Sequence, residues 1–340
     1  MSRREMLDLV VVGAGVVGSA TALAAARDGL RVALVEAHEP PAWAPLDADL
    51  RVYAFAPDNA ALLDDLGAWA AIRAARAHPY RRMRVWDAAG GGELDFDADA
   101  LGRAHLGHIV EHSLLVDRLW AACGREASLR RVFPARLASL EQDPDSATAV
   151  LEDGQRLRAK LVVGADGAAS RVRAAVGLDT EAHDYGQRGL VAYVGTGLAH
   201  QDTAWQRFLP TGPLAFLPCA DGRCSIVWTL PADEATRMRA LDEYEARVGD
   251  AVTVEGALHA FLDTDLDTYI TGGKGWSNFP SEHQQRKIPW CNLTRNTQRL
   301  HLLPWKGFLQ FIGPTSVIEK VIACQRNIDV SRLANRFAAV

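Results

Sequence analysis

The sequence has few of the features that mark membrane or nucleic-acid-binding proteins. No apolar run approaches the roughly 18 residues that a membrane-spanning helix requires. The 37 basic residues are outnumbered by 42 acidic ones, so no basic excess points to a nucleic-acid partner. With 340 residues, 49% hydrophobic and 23% charged, the chain is predicted to be globular, with one large or two ordinary domains. We expect a small-molecule ligand.

Cysteine is scarce, and its five residues have no metal-ligand spacing. Their odd number and the lack of a CxxC pair are typical of reduced thiols in a cytosolic protein. Cys219 and Cys224 flank a predicted turn, either facing each other or standing as ordinary strand residues, and the second interpretation is favoured. The sequence therefore predicts no metal site.

The N-terminus imitates an export signal, because Arg3 and Arg4 precede an apolar run that starts at Leu7. Asp8 interrupts that run and no small-residue cleavage site stands out, so we expect a cytoplasmic protein.

A complete βαβ unit follows instead. The nearly continuous apolar run from Leu7 to Val12 predicts a parallel strand that is covered on both faces. Residues 13–18, GAGVVG, then open a helix that continues through Arg27, with Gly29 as its C-terminal cap. Residues 31–36 are the second strand. This succession of strand, glycine loop, small-residue helix and strand predicts a dinucleotide-binding site.

Each residue of the loop has a physical task. Gly13 makes the tight turn, Gly15 beside Ala14 lets backbone amides approach a pyrophosphate, and Gly18 allows close packing of helix on strand. The helix N-terminus attracts the phosphates. Glu36, 18 residues after Gly18, can accept hydrogen bonds from ribose hydroxyls and would repel a 2′-phosphate.

A second motif narrows the ligand. A short apolar strand, residues 161–163, runs into GADG at residues 164–167 and SRVR at residues 170–173. A tight turn before a Ser-capped helix explains the shape but not the residue choice. The segment closely resembles the GADGxxSxVR pattern of the class A flavoprotein monooxygenases. That resemblance implies FAD as the cofactor, with Asp166 and Gly167 near its pyrophosphate and involved in pyridine nucleotide use.

Further segments narrow the resemblance to the ubiquinone-biosynthesis hydroxylases of that class, over most of residues 5–265. Residues 49–54, DLRVYA, and 66–69, LGAW, are similar to the family's D.RV.A and LG.W segments. Residues 106–115, LGHIVEHSLL, resemble its GxIVEN segment, with His112 in place of Asn. The resemblance implies that Arg51 contacts FAD. Arg118 is either a polar residue near the flavin or a solvated helix residue.

From residue 190 to 230 the pattern changes to short apolar strands separated by turns, with Asp221 and Gly222 at a hairpin. This run also resembles the hydroxylases, in which such a sheet covers the flavin and forms a wall of the apolar substrate pocket. The predicted fold class is α/β, a Rossmann-like FAD-binding domain with a parallel sheet and helices, plus a smaller substrate domain with an antiparallel β-sheet. The candidate strands of that sheet are Leu190–Val194, Trp205–Leu209, Leu214–Leu217 and Ser225–Thr229.

Several side chains in this region have more ordinary interpretations than catalysis. His200 has a side chain suited to proton transfer near neutrality, but no partner is identifiable, so it receives no role. Trp205, Phe208, Phe216 and Trp228 are predicted to be sheet core, with some lining the pocket.

The resemblance implies a reaction in which NAD(P)H and dioxygen serve to hydroxylate an electron-rich ring. Its substrate would be an apolar aromatic molecule, a polyprenylated phenol or benzoquinol, collected peripherally at the inner membrane face or from a ubiquinone-biosynthesis complex. Because the cofactor carries such a reaction, no catalytic side chain is assigned. The lack of a second GxGxxG for NAD(P)H agrees with this class.

The family's third signature, GDAAHxxxPxxGxG, is missing. Gly249 and Asp250 imitate its start but are interpreted as a surface turn. Composition also changes, since four of the five lysines follow residue 271. A disrupted reading frame or gene fusion near residue 268 is one hypothesis. The predicted division is therefore a discontinuous FAD-binding domain, 1–75 and 105–180, a substrate domain, 76–104 and 181–267, and an atypical tail, 268–340.

Three functional hypotheses remain open at this point. The first is a flavin-dependent aromatic hydroxylase, and the second is a catalytically impaired FAD-binding remnant. The third is a related flavoenzyme such as a prenyl reductase or halogenase, although the halogenase motif WxWxIP is missing.

Overall fold

Two six-stranded sheets and one three-stranded sheet organise the part of the chain described by the computed structural model, residues 6–46, 48–182, 184–196 and 198–239. The strands in chain order are β1 Leu7–Val12, β2 Val32–Val35, β3 Val52–Phe55, β4 Ala77–Tyr80, β5 Arg82–Asp87, β6 Glu93–Asp97, β7 Gly107–Glu111, β8 Leu129–Val132, β9 Leu137–Asp143, β10 Ser146–Leu151, β11 Arg156–Gly164, β12 Gln187–Val194, β13 Thr203–Leu209, β14 Gly212–Pro218 and β15 Cys224–Pro231. The helices are α1 Val16–Arg27, α2 Pro57–Asp65, α3 Trp69–Arg76, α4 His112–Arg125, α5 Arg171–Ala175 and α6 Ala232–Arg239, with a 3₁₀ turn at Asp99–Leu101.

The first sheet has the order β8-β2-β1-β11-β10-β9. Its four strands β8, β2, β1 and β11 are parallel, whereas β10 and β9 continue it as an antiparallel hairpin. Successive residues of β1 pack on opposite faces, Leu9 and Val11 in the cluster that contains α1 and α4, Val10 and Val12 in the cluster on the other side. This two-sided burial explains the continuous apolar run and confirms the predicted parallel βαβ unit.

The second sheet has the order β12-β15-β14-β13-β5-β6. The four strands predicted between residues 190 and 230 are present and antiparallel, and Gly222 at φ 86° closes the predicted hairpin. The sheet also contains β5 and β6, and β13 runs parallel to β5, a pairing that the sequence did not indicate. Trp205, Phe216 and Trp228 are buried in the sheet core as predicted, while Phe208 is half-buried.

The third sheet, β3-β7-β4, is antiparallel and lies between the other two. On one face Phe55 and Val110 join the cluster of α1 and α4. On the other face Tyr80 and Ile109 pack with Ala204 and other residues of the second sheet. The three-stranded sheet is therefore the layer through which the two larger sheets contact each other.

Two further sequence predictions concern thiols and membranes. Cys123, Cys219 and Cys224 are free and buried, in agreement with the predicted reduced state, whereas Cys291 and Cys324 lie outside the described residues. Within the portion of the chain covered by the structure, no helix combines the length and apolar character that crossing a membrane requires.

Candidate functional site

The glycine loop after β1 is packed backbone against backbone at two of its glycines. Gly13 has φ 102°, and a Cβ there would overlap the carbonyl group of Ala165 in the segment that follows β11. A Cβ on Gly18 would overlap the carbonyl oxygen of Gly13 itself. Only glycine fits at these positions, which fixes the entry of α1 against the ends of β1 and β11.

Gly15 differs from these two, because a Cβ built on it meets nothing within 4 Å. It precedes the first residue of α1, has an ordinary φ of -66°, and offers no side chain to the helix N-terminus. The first turn of α1 contains no acidic residue. The N-terminus of this 12-residue helix therefore has open space beside Gly15 and no carboxylate in its own first turn, an arrangement that suits a bound phosphate group.

Glu36 lies directly against this loop. Its Oε2 accepts a hydrogen bond of 2.6 Å from the Ala14 amide, and its Oε1 accepts bonds of 2.7 and 3.2 Å from the amides of Ala37 and His38. The Gly13 amide donates to the Val35 carbonyl at 2.8 Å, which holds the loop beside the end of β2. The carboxylate is thus fixed by three backbone donors at the edge where the sequence predicts a ribose.

The segment of Asp166 and Gly167 reaches the same edge of the sheet. Val12 lies opposite Gly164 in the parallel register, and the Ala165 amide donates to the Val12 carbonyl at 2.8 Å. Gly167 has φ 80°, and a Cβ on it would meet no atom within 4 Å. The structure therefore brings the two glycine motifs together, although nearly 150 residues separate them in the chain.

The Asp166 carboxylate itself stabilises the start of α5. It accepts hydrogen bonds from the Ser170 hydroxyl at 2.5 Å and from the Arg171 and Val172 amides at 2.7 and 3.2 Å. The predicted serine cap is present, since Ser170 Oγ accepts from the Arg173 amide at 3.0 Å. Asp166 therefore shapes the turn through its side chain and leaves Gly167 as the open position.

Arg51 belongs to a second group of polar residues, at the N-terminus of α4. The Asp49 carboxylate accepts hydrogen bonds from the Arg51 and Ser113 amides at 2.9 and 2.7 Å. Burial raises the pKa of Asp49, but the hydrogen bonds from Arg51 and Ser113 and the charge of His112 together leave it below its usual value. The Arg51 guanidinium lies 5.4 Å from the centre of the Tyr53 ring, and the Tyr53 hydroxyl is 3.0 Å from His112 Nδ1.

His112, the unusual residue of the GxIVEN-like segment, is a neutral imidazole near neutral pH. Burial lowers its pKa and the Arg51 guanidinium lowers it further, against the opposing effect of Asp49. The Tyr193 hydroxyl of β12 donates to the Asp49 carbonyl at 3.0 Å. This group therefore connects the start of α4 to the second sheet.

Arg118, on α4, forms an ion pair with its neighbour Asp117. Its guanidinium lies 5.6 Å from the centre of the Trp43 ring, and its side chain is 30% exposed. These contacts fit either interpretation of Arg118, so its cofactor role stays a prediction.

A small pocket lies between the third and second sheets, and the sequence did not predict its polar residues. Glu111 of β7, only 5% exposed, pairs with Arg76 at 2.6 Å between Oε1 and Nε. The Trp43 indole N–H donates to Glu111 Oε2 at 3.0 Å. Tyr193 and Cys219 line the pocket beside this pair. Glu111 lies within the family-like segment, but nothing in the sequence links it to Arg76, 35 residues earlier.

The charged carboxylates that line the pocket are paired, Glu111 with Arg76 and Asp221 with Arg223. Burial raises the pKa of the Cys219 thiol to about 11 and also raises the pKa of the Tyr193 hydroxyl. Both groups are therefore protonated near neutral pH, and Arg76 and Glu111 compensate each other's charge. Val52 and Ile109 supply apolar wall. The lining thus combines an apolar wall with a few polar groups, the composition typical of small-molecule sites.

The sequence is similar to a family of FAD-binding proteins and to two hydroxylases. The profile of the family described as FAD binding domain matches residues 6–268. The chain is 37% identical over 235 residues to the 3-demethoxyubiquinol 3-hydroxylase of Escherichia coli, covering 69% of this chain and 59% of that protein. It is 36% identical over 256 residues to the ubiquinone hydroxylase UbiL of Rhodospirillum rubrum, covering 73% of this chain and 59% of that protein. The chain thus spans about three-fifths of the length of these relatives.

Solved structures share the fold. A probable FAD-dependent monooxygenase of Pseudomonas aeruginosa superposes with a TM-score of 0.59 at 22% identity, covering 75% of this chain and 70% of that one. A Klebsiella pneumoniae protein solved with FAD and uric acid superposes with a TM-score of 0.55 at 21% identity, covering 76% of this chain and 65% of that one.

Proposed function

The chain belongs to the FAD binding domain family of class A flavoprotein monooxygenases, and on that premise we propose that it uses FAD, NAD(P)H and dioxygen to hydroxylate an aromatic ring. The ring is that of a polyprenylated phenol or benzoquinol in ubiquinone biosynthesis. One observation carries the proposal: the loop of Gly13 to Gly18, Glu36 and the Asp166–Gly167 turn meet at one edge of the parallel sheet.

In this proposal the chain's backbone holds the nucleotide end of the cofactor. The open space at Gly15 takes the pyrophosphate, where the first amides of α1 face it. Glu36 accepts from the ribose hydroxyls, and Gly167 lets the Asp166 turn approach the phosphates closely. Arg51 and Arg118 contact the cofactor from the side of α4. FAD, when bound, supplies the redox and oxygen-transfer chemistry, while these residues bind and orient it.

The pocket between the third and second sheets is the proposed place for the ring. Val52 and Ile109 supply apolar wall, and the Tyr193 hydroxyl and the Arg76–Glu111 pair offer a small number of polar contacts. The names of the relatives support a ubiquinone precursor as substrate. We further propose cytoplasmic location with peripheral contact at the inner membrane face. The proposed domain division is 1–75 with 105–180, 76–104 with 181–267, and the tail 268–340, which lies outside the described residues.

The test uses the full chain as purified. We expect a yellow protein whose released cofactor is identified as FAD by chromatography. A short-chain prenylated phenol should stimulate NAD(P)H oxidation, and isotopically labelled dioxygen should leave one labelled oxygen atom in the product. A colourless protein that does not take up added FAD would overturn the proposal.

Because the signature GDAAHxxxPxxGxG is missing from the sequence, a catalytically impaired FAD-binding remnant is a second candidate function. Such a protein would bind FAD without substrate-stimulated NAD(P)H oxidation. A prenyl reductase would instead consume NAD(P)H and leave no labelled oxygen in the product. The three outcomes are distinguishable in the same assay.

A further inference from the structure

Two histidines and an aspartate converge where the third sheet meets the second. His78 lies on β4, and His200 and Asp202 lie in the turn that precedes β13. His78 Nε2 is 3.0 Å from Asp202 Oδ1, and His200 Nδ1 is 3.8 Å from the same oxygen. The three atoms all lie within 4.8 Å of one another. His78 and Asp202 are 124 residues apart in the chain, so the sequence alone does not bring His78 to this pair.

These separations suit one tetrahedral ion. Bonds of 2.0 to 2.1 Å to nitrogen and oxygen place neighbouring ligand atoms about 3.3 Å apart. The two distances to Asp202 Oδ1, 3.0 and 3.8 Å, lie on either side of that value. Two imidazoles and one carboxylate are a ligand set for divalent first-row transition ions, with zinc well suited to it.

The surroundings of His200 orient its ring for such a role. Nε2 lies 3.1 Å from the Cys219 carbonyl, to which it can donate its proton, leaving the lone pair on Nδ1. Nδ1 accepts a hydrogen bond from the Asp202 amide at 3.1 Å, a contact that an ion would replace. Metal-ligating histidines commonly donate their second nitrogen to a backbone carbonyl in this way.

The backbone between the ligands is also unusual. Gln201 and Asp202 have φ values of 53° and 52°, a left-handed conformation that is uncommon for residues with a side chain. This turn returns Asp202 toward His200 and presents its carboxylate to His78 on the other sheet. The His78 and His200 side chains are 18% and 10% exposed, whereas that of Asp202 is 45% exposed. An ion would therefore be held by two sheltered imidazoles and stay open to solvent on the carboxylate side.

We propose that His78, His200 and Asp202 form a binding site for one divalent transition-metal ion, with a solvent molecule as fourth ligand. The ion joins the third sheet to the second at the rim of the pocket, which His78 also lines. The metal site shares His78 with the lining of the pocket proposed for the ring, but the proposal does not rest on the proposed flavin chemistry.

Zinc binding to the full chain tests the proposal directly. The protein is treated with a chelator, dialysed against buffered zinc chloride, and its bound zinc counted by atomic emission. Four proteins are compared: the natural chain, His78→Gln, Asp202→Asn and the control His105→Gln. His105 is a half-buried histidine close to His108, with ring centres 4.3 Å apart, and lies outside the cluster. We expect the natural chain and the control to hold one more zinc per chain than the other two.

The two site variants separate a metal site from a plain hydrogen-bonded contact. Asn at position 202 keeps an oxygen that accepts from His78, so a hydrogen bond without metal survives, but zinc affinity should fall at least tenfold. Zinc should raise the thermal midpoint of the natural chain and of His105→Gln, and not that of His78→Gln. Equal zinc content in all four proteins, or natural-type binding by Asp202→Asn, would overturn the proposal. If His78→Gln fails to fold, Asp202→Asn alone decides.

Discussion

The glycine-loop edge of the first sheet and the pocket beside the third sheet present polar groups by opposite means. At the loop edge they are backbone amides: Gly13 and Gly18 allow the backbone to pack closely, and Gly15 leaves open space beside the helix N-terminus. In the pocket the polar groups are side chains from distant segments, with Arg76 as donor and Glu111 as acceptor. The loop edge depends on glycines that leave room for backbone or for a ligand, and the pocket depends on paired charges.

This difference determines how each region responds to substitution. At the loop edge, adding one carbon atom either collides with backbone or fills the proposed ligand space, depending on which glycine is changed. In the pocket, removing one partner leaves a buried charge or donor without compensation. Substitutions at the loop edge should therefore act through steric overlap, and substitutions in the pocket through an uncompensated buried group.

The largest effect is expected at Gly18. In Gly18→Ala the new Cβ overlaps the Gly13 carbonyl oxygen, which cannot move without displacing the end of β1. We expect the free energy of unfolding to fall by about 4 kcal/mol or more, as in severe core overpacking. Chemical denaturation of the protein without cofactor measures this. A loss below about 1 kcal/mol would show that the loop yields easily and would remove the basis of the comparison.

The second-largest effect is expected at the buried Arg76–Glu111 pair of the pocket. Arg76→Met should lower the free energy of unfolding by about 3 kcal/mol, because Glu111 would remain buried without its cation. The control is Arg156→Gln, which removes the exposed ion pair between Arg156 and Glu141 and should leave the denaturation midpoint unchanged. If the two substitutions changed the free energy of unfolding equally, the burial of the Arg76–Glu111 pair would not contribute to stability.

The stability of the protein should also depend on pH through His108, on β7 of the third sheet. Burial lowers the pKa of His108 to about 4, with smaller contributions from the positive charges of His105, Arg73 and His78. The unfolded chain therefore binds more protons between pH 6.5 and 4, and stability is lost as pH falls through that window, by about 3 kcal/mol in total. His108→Leu should flatten the dependence of the unfolding free energy on pH. Parallel curves for the natural chain and the variant would refute the assignment.

The smallest effect is expected at Gly15, and it should appear in binding alone. Gly15→Ala adds a Cβ in open space at an ordinary φ, so the unfolding of the protein without cofactor should hardly change. FAD affinity should fall about tenfold, or about 1.4 kcal/mol, because the methyl group enters the proposed pyrophosphate space. Quenching of flavin fluorescence measures the affinity. Undiminished affinity would place the pyrophosphate elsewhere.

The sequence predicts the loop edge well, since its parts are short contiguous patterns with fixed chemistry. β1, α1, β2 and the serine cap of α5 lie where expected, and Gly29 has the left-handed φ of 84° that its position as a cap requires. The convergence of the glycine loop on Asp166 was implied by the family resemblance, and the parallel pairing of β1 with β11 produces it. Contiguous motifs with backbone function are visible without a structure.

The pocket and the histidine cluster were not predictable in this way. Arg76 and Glu111, or His78 and Asp202, become partners only through the antiparallel register of β4 with β7 and the parallel pairing of β13 with β5. No local pattern specifies either pairing, because strands that join across a long connection carry no turn signal. Side chains that act across sheets therefore need the fold before their roles can be recognised.

The central position of β1 in its sheet has a consequence for synthesis of the chain. Leu9 pairs with Val32 on one side, a short distance along the chain, but with Leu161 on the other. During translation β1, α1 and β2 can assemble early, while the second edge of β1 waits until residue 164 has left the ribosome. Over that interval a strand of valines exposes unpaired backbone groups. Chaperone dependence and aggregation of truncated nascent chains are thus expected to end once β11 has emerged.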